Sequence, residues 1–132
     1  MDHREEELFR AFAVSTKRHR YVELLHTKRG RDKVRIALDH FNDLDPRFCK
    51  QVPTSEQTPV GILKVLKSLG APTQCYLFSS ACNLDGHEMD LQDALLEVIG
   101  GGMGTFVSCV TGKLAYFEGE EPNRRFICHR SE

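Results

Sequence analysis

The chain has 132 residues, which is enough for one domain with its own hydrophobic core and too few for two. Its net charge is −1, and its apolar fraction of 40% and charged fraction of 28% are ordinary for a globular protein. No apolar run approaches the roughly 18 residues of a membrane span, and the start MDHREEELFR lacks the basic and apolar regions of a signal peptide. We therefore expect a cytoplasmic protein with a single α+β domain over residues 1–132 and no membrane association.

The five cysteines are an odd number and include no C-x-x-C pair. They lie at positions 49, 75, 82, 109 and 128, several of them inside apolar segments. This usage is not that of a secreted disulfide scaffold, so we expect reduced and partly buried thiols.

The N-terminal part, residues 1–45, is predicted to be helical. Residues 5–26 repeat apolar positions at steps of three and four, although Ser15 and His19 dilute the apolar stripe. We predict one long helix there. A second helix follows Gly30, because apolar residues at i, i+3, i+4 and i+7 form one face: Val34, Ala37, Leu38 and Phe41.

Residues 58–130 are predicted to form the α/β core, after a loop over residues 49–57. Thr58 followed by Pro59 predicts a helix start, and Gly70 predicts its end. A strand follows at 75–80. Asp90 then predicts the N-cap of another helix, and Gly100 its C-terminal cap.

Three further strands are predicted at 105–110, 113–119 and 125–130. The fold prediction is therefore α+β: N-terminal helices followed by a β-α-β-β-β unit. We expect this unit to form a four-stranded, mainly antiparallel sheet with helices on one face.

The predicted hairpin after residue 110 has apolar residues on both faces. Pairing Val110 with Lys113 across the turn separates two sets of side chains. One face carries Val107, Cys109, Leu114 and Tyr116, and the other carries Phe106, Val110, Ala115 and Phe117. An antiparallel sheet with one wet face alternates with polar residues, so both faces must be covered. The cover for the second face is either the long N-terminal helix or another copy of the chain.

Four glycines lie between the last predicted helix and the strand at 105–110. Phosphate-binding glycine loops run from a strand into a helix N-terminus, whereas here the helix comes first and presents its negative end. We interpret Gly100 as the helix cap and the others as a tight reversal. Close approach of a ligand is the alternative, with four candidate ligand-binding residues: Asp85, Gly101, Gly102 and Gly104.

The segment CNLDGHEMD at 82–90 concentrates polar side chains. Weak catalytic candidates are Cys82, His87, Glu88 and Cys109, because a thiol beside a histidine can act as a nucleophile. An EF-hand alignment fails at its first and twelfth positions, and zinc spacing is absent. We predict no metal site and no cofactor.

The segment 17–35 is strongly basic, and six of its residues form a predicted interaction face: Lys17, Arg18, Arg20, Lys28, Arg29 and Arg31. Residues 68–112 contain five acidic residues and neither Lys nor Arg. The two segments could attract each other within one chain or between two chains. A pI of about 6.6 and the single aromatic residue Tyr21 argue against nucleic acid as the partner of the basic segment.

For function, we expect a non-enzymatic, self-associating interaction or regulatory module, most simply a homodimer, with a protein partner as a further option. The alternative is a small enzyme or a ligand- or metal-binding protein, with a pocket near residues 82–90 and 100–104. The second alternative is a nucleic-acid accessory protein that uses residues 17–35.

Overall fold

The computed structural model describes residues 2–131 and is of the α+β class, as the sequence predicts. Its helices are α1 His3–Phe12, α2 Arg18–Leu24, α3 Lys28–Ala37, α4 Pro59–Ser68 and α5 Leu91–Val98. Its strands are β1 Cys49–Gln51, β2 Gln74–Ser79, β3 Glu88–Asp90, β4 Thr105–Val110, β5 Leu114–Glu118 and β6 Arg125–His129. Short 3₁₀ turns lie at Leu38–His40 and Thr54–Glu56. Within residues 2–131, no helix has the length and apolar character needed to cross a bilayer.

The sheet has six strands in the order β1-β6-β5-β4-β2-β3, and every neighbouring pair is antiparallel. The predicted count of four strands is therefore too low. The two missed strands, β1 and β3, have three residues each and lie at opposite edges. Three residues are too few to show the alternation that identifies a strand, which is why the sequence predicts a loop over residues 49–57.

Helices cover both faces of the sheet, and the prediction of helices on one face is wrong. Helices α1, α2 and α3 pack on the face that carries Phe78, Phe106 and Phe117. Helices α4 and α5 pack on the face that carries Leu77, Val107 and Tyr116. The second apolar face is thus covered by this chain's own N-terminal helices, and it gives no reason for a second copy.

The β4–β5 hairpin confirms the predicted pairing for most of its length. Thr105 to Ser108 pair with Glu118 to Ala115 in the expected register. At Cys109 a β-bulge shifts the register, so that Val110 pairs with Leu114 instead of Lys113. The bulge places Val110 on the α4–α5 side of the sheet, opposite to the predicted face.

The predicted long helix over residues 5–26 is two helices, α1 and α2. Ala13 is extended and forms an isolated bridge with Leu44. The Val14 N–H donates to the Asp43 carbonyl at 2.7 Å, and the Asp45 N–H donates to the Phe12 carbonyl at 2.7 Å. The β-branched and hydroxyl residues at 14–16 are weak helix formers, so pairing with residues 43–45 competes successfully with continuation of the helix.

Side chains cap the N-termini of α4 and α5, and a glycine follows the C-terminus of each helix. The Thr58 hydroxyl accepts from the Gly61 N–H at 3.0 Å, and the Asp90 carboxylate accepts from the Asp93 N–H at 3.1 Å. Gly70 and Gly100 follow the C-terminal ends with φ of 102° and 86°. Gly70 therefore ends α4 in the left-handed conformation that glycine adopts without steric cost, whereas α5 already ends at the extended Ile99, one residue before Gly100.

Candidate functional site

A cleft of about 170 Å³ lies beyond the end of the β2–β4 ladder, which stops at the pair Tyr76–Ser108. Two of the four catalytic candidates, Glu88 and Cys109, line it. The other lining residues are Arg4, Gln74, Cys75, Tyr76, Ser108 and Thr111. Cys82 and His87 are not among the lining residues, and both are exposed in the connection between β2 and β3. The structure therefore divides the four candidates between a cleft and an exposed turn.

The two thiols in the cleft are arranged as buried side chains and not as nucleophiles. Burial raises the pKa of Cys75 to about 12 and that of Cys109 to about 12. At neutral pH both thiols are protonated, whereas the thiolate is the reactive form. Cys75 donates to the Met89 carbonyl at 3.4 Å, and the lining includes no histidine that could remove a proton. The cleft lacks the groups that thiol catalysis requires.

The cationic group of the cleft is already neutralised by carboxylates. Arg4 forms ion pairs with Asp2, at 2.9 Å, and with Glu88. Its guanidinium also lies 4.0 Å from the centre of the Tyr76 ring. The hydrogen bond to Asp2, followed by that to Glu88, raises the pKa of Arg4. Sequence reasoning missed Arg4 and Tyr76, because they lie 72 positions apart and share no local pattern.

Asp85, a predicted ligand-binding residue, belongs to a buried ion-pair network. Arg31 donates to Asp85 at 2.8 and 3.0 Å and to Glu5 at 2.9 and 2.8 Å. Glu5 is 1% exposed and also accepts from the Tyr76 hydroxyl. Asp85 accepts a further bond from the Ser79 N–H at 3.0 Å. The oxygens of Asp85 are therefore occupied by groups that hold α1 and α3 on the sheet.

The predicted ligand-binding glycines make contacts within the chain. The Gly104 N–H donates to Asp39 Oδ1 at 2.7 Å, and its carbonyl accepts from the Ser80 N–H at 2.9 Å. A Cβ added at Gly104 would overlap the backbone carbonyl group of Leu38. The Gly101 N–H donates to the Val98 carbonyl at 3.0 Å. The close approach that requires glycine at 104 is therefore that of the chain's own backbone.

Gly102 has a φ of 71°. This is the left-handed backbone conformation that a tight reversal between helix and strand requires.

Three of the six residues of the predicted basic interaction face form ion pairs within the chain, and Lys17 among them stays 56% exposed. Lys17 pairs with Asp43 at 3.3 Å, Arg18 with Asp45 at 3.0 Å, and Arg31 belongs to the network described above. The other three residues, Arg20, Lys28 and Arg29, are exposed. Ion pairing within the chain thus reduces the charge that Arg18 and Arg31 present to an external phosphate backbone.

A different surface combines exposed apolar residues with opposite charges. Val60 on α4 is 77% exposed and Leu96 on α5 is 61% exposed, and both line one shallow groove. The groove is completed by Pro59, Leu63 and Gln92. Outside the groove, α4 exposes two cations and α5 exposes two anions: Lys64, Lys67, Asp93 and Glu97. We call these nine residues the α4–α5 surface.

No protein family, curated protein or solved structure matches the chain. Within residues 2–131, no group of three or more His, Cys, Asp or Glu side chains is placed to hold a metal ion.

Proposed function

We propose that the protein is a self-associating interaction module that dimerises through the α4–α5 surface. Single exposed apolar side chains are normal, but adjacent ones on neighbouring helices mark a binding surface. Val60 and Leu96 are such a pair, because they line the same groove and are both more than half exposed. Their adjacency is the observation that carries the proposal.

The charges of the surface are complementary to those of a second copy. A two-fold axis that runs along the groove would place α4 of one copy against α5 of the other. Lys64 and Lys67 would then face Asp93 and Glu97 of the second copy, and the same contact would occur twice. Such contacts orient two subunits and accelerate their association more than they raise affinity.

The two apolar sheet faces and the opposite charges of the two segments also favour a dimer, but both have their partners within one chain. The apolar faces of the sheet are covered by α1–α3 on one side and by α4 and α5 on the other. Part of the basic segment binds part of the acidic segment through Arg31 and Asp85. The α4–α5 surface is therefore a better site for a second copy than the sheet.

Sedimentation velocity over a range of protein concentrations tests the proposal with two matched variants. Leu96→Glu places a charge in the interface, whereas Ile36→Glu changes a residue on α3 with nearly the same exposure, 60% against 61%. Loss of one buried Leu per subunit removes about 3 kcal/mol from the dimer, or about 100-fold in affinity. We expect dissociation with Leu96→Glu and an unchanged dimer with Ile36→Glu.

A charge exchange tests the arrangement of the subunits. Lys64→Glu combined with Lys67→Glu should weaken self-association by repulsion, and so should Asp93→Lys combined with Glu97→Lys. An equimolar mixture of the two double variants restores both contacts and should form a heterodimer. A monomeric wild-type protein at all concentrations would contradict dimerisation. A dimer that tolerates Leu96→Glu would place the interface elsewhere.

A further inference from the structure

Two of the buried cysteines face each other across neighbouring strands. Cys49 on β1 and Cys128 on β6 are register partners. The adjoining pair is hydrogen-bonded, since the His129 N–H donates to the Phe48 carbonyl at 2.9 Å. Hydrogen-bonded and non-hydrogen-bonded pairs alternate along an antiparallel ladder, so Cys49 and Cys128 form a non-hydrogen-bonded pair.

This position has the geometry that a disulfide requires. Cα atoms of a non-hydrogen-bonded pair are about 4.5 Å apart, and the side chains are closer than at the other positions. Disulfides span Cα separations of about 4.4 to 6.8 Å. Both side chains lie in the same buried cluster, with exposures of 5% for Cys49 and 0% for Cys128. The Cys49 thiol donates to the Phe12 carbonyl at 3.8 Å, and burial raises the pKa of Cys128.

We propose that Cys49 and Cys128 are a redox site that low-molecular-weight disulfides oxidise to a cross-strand disulfide. β1 is an edge strand of three residues, and Lys50 and Gln51 beside Cys49 are exposed. Local opening of such an edge brings Cys49 to solvent without unfolding the sheet. Cys49 is therefore the attacking residue, and Cys128 is the resolving residue.

The reaction consumes one disulfide reagent, RSSR. The Cys49 thiolate attacks one sulfur of RSSR, forms a mixed disulfide and releases RS⁻, which takes up the proton lost by Cys49. Opening of β1 also uncovers its ladder partner Cys128, which loses its proton and attacks Cys49 Sγ; the Cys49–SR bond breaks, and the second RS⁻ takes up that proton. Two protein thiols are oxidised by two electrons, and RSSR is reduced to two RSH.

The other pair of buried thiols, Cys75 and Cys109, lacks this arrangement. Cys109 is the bulged residue of β4, one position beyond the last β2–β4 pair. The Cys75 thiol donates to the Met89 carbonyl, at 3.4 Å, and the Cys109 thiol approaches the Val107 carbonyl, at 3.8 Å. Cys75 pairs with Met89 and not with Cys109, whereas Cys49 and Cys128 are ladder partners, so we expect selective oxidation of Cys49 and Cys128.

Thiol titration and peptide mapping after treatment with oxidised glutathione test the site. The full chain carries Cys82→Ser, because Cys82 is exposed and would form mixed or intermolecular disulfides. Native protein is incubated with the reagent, quenched, unfolded, titrated and digested without reduction. We expect accessible thiols after unfolding to fall from four to two, with one linked peptide joining residues 49 and 128. The urea midpoint of the oxidised protein should rise and return to its initial value with dithiothreitol.

Two matched variants in the same background identify the pair. Cys109→Ser should leave the link between residues 49 and 128 intact, whereas Cys49→Ser should abolish it and leave the other thiols titratable. Four titratable thiols after treatment of the native protein would overturn the proposal. A link between residues 75 and 109, without one between 49 and 128, would overturn it as well.

Discussion

Replacement of Arg31 by Met should destabilise the fold strongly, because Arg31 is the cation of the buried network. It binds Glu5, at 2.9 and 2.8 Å, and Asp85, at 2.8 and 3.0 Å. Its guanidinium also lies 4.9 Å from the centre of the Phe78 ring. Met retains an apolar stem for packing against Phe78, so the substitution removes mainly the charge and its hydrogen bonds.

The structure gives the size of the expected loss. Without Arg31, the Glu5 carboxylate stays in a site that is 1% exposed, with the Tyr76 hydroxyl as its remaining partner. Removal of one partner from a buried ion pair costs about 3–5 kcal/mol. Asp85 is more exposed than Glu5, so the loss of its ion pair with Arg31 adds little to this loss of stability. Because a domain is stable by about 5–15 kcal/mol, Arg31→Met should leave the fold marginal.

Urea denaturation followed by circular dichroism measures the loss, and Arg29→Met on the same helix is the control. Arg29 is exposed, so its replacement should change the free energy of unfolding by less than about 0.5 kcal/mol. With an m-value of about 2 kcal/mol/M, Arg31→Met should lower the urea midpoint by about 2 M. Adding Glu5→Gln should recover part of the loss, because no uncompensated charge then remains at Glu5. Equal midpoints for Arg31→Met and Arg29→Met would refute the reasoning.

Two further substitutions test other contacts. Gly104→Ala should lower the melting temperature more than Gly100→Ala. The Cβ of an alanine at 104 would overlap the Leu38 carbonyl group, whereas an alanine at 100 would meet no other atom and would be destabilised only by the positive φ. Similar melting temperatures for the two variants would contradict that close approach. Hydrogen bonds from Arg47 lower the pKa of Asp45 to about 2, below the unfolded value of 3.8. The carboxylate therefore stabilises the fold above about pH 4, and this contribution is lost as pH falls towards 2; after discounting for solvent screening it is about 1–2 kcal/mol. Asp45→Asn should flatten the pH dependence of stability measured between pH 2 and 5, and an unchanged profile would contradict this role.

Long segments with a clear period were predictable from the sequence. The starts of α4 and α5 follow from Thr58 and Asp90, each of whose side chains accepts a hydrogen bond from the backbone N–H three positions further on. The faces of β4 and β5 follow from alternation, which is correct up to Ser108. The error at Val110 comes from the bulge at Cys109, because an inserted residue changes the face of every residue after it.

The missed features depend on contacts between distant parts of the chain. β1 is a strand because Cys49, Lys50 and Gln51 pair with β6, and their own pattern carries no strand signal. The break between α1 and α2 depends on the pairing of Ala13 with Leu44. A three-residue strand or a single bridge is stabilised by its partner, so local periodicity cannot identify it.

The cleft and the buried network were not predictable for the same reason. Arg31 and Asp85 are 54 positions apart, and Glu5 and Tyr76 are 71 positions apart. The segregation of basic and acidic residues along the chain indicated attraction, but it left open whether that attraction is internal. The structure shows an internal component, because Arg31 binds both Glu5 and Asp85.

Different acidic residues of segment 68–112 contribute to folding and to the proposed association. Asp85 and Glu88 bind arginines of the N-terminal helices, whereas Asp93 and Glu97 are exposed on α5. In the proposed dimer, Asp85 and Glu88 stabilise the subunit, whereas Asp93 and Glu97 select the orientation of the second copy. The free energy of association then comes mainly from Val60 and Leu96, since exposed ion pairs contribute about 1 kcal/mol or less. Salt should therefore slow association of the subunits more than it weakens the dimer at equilibrium.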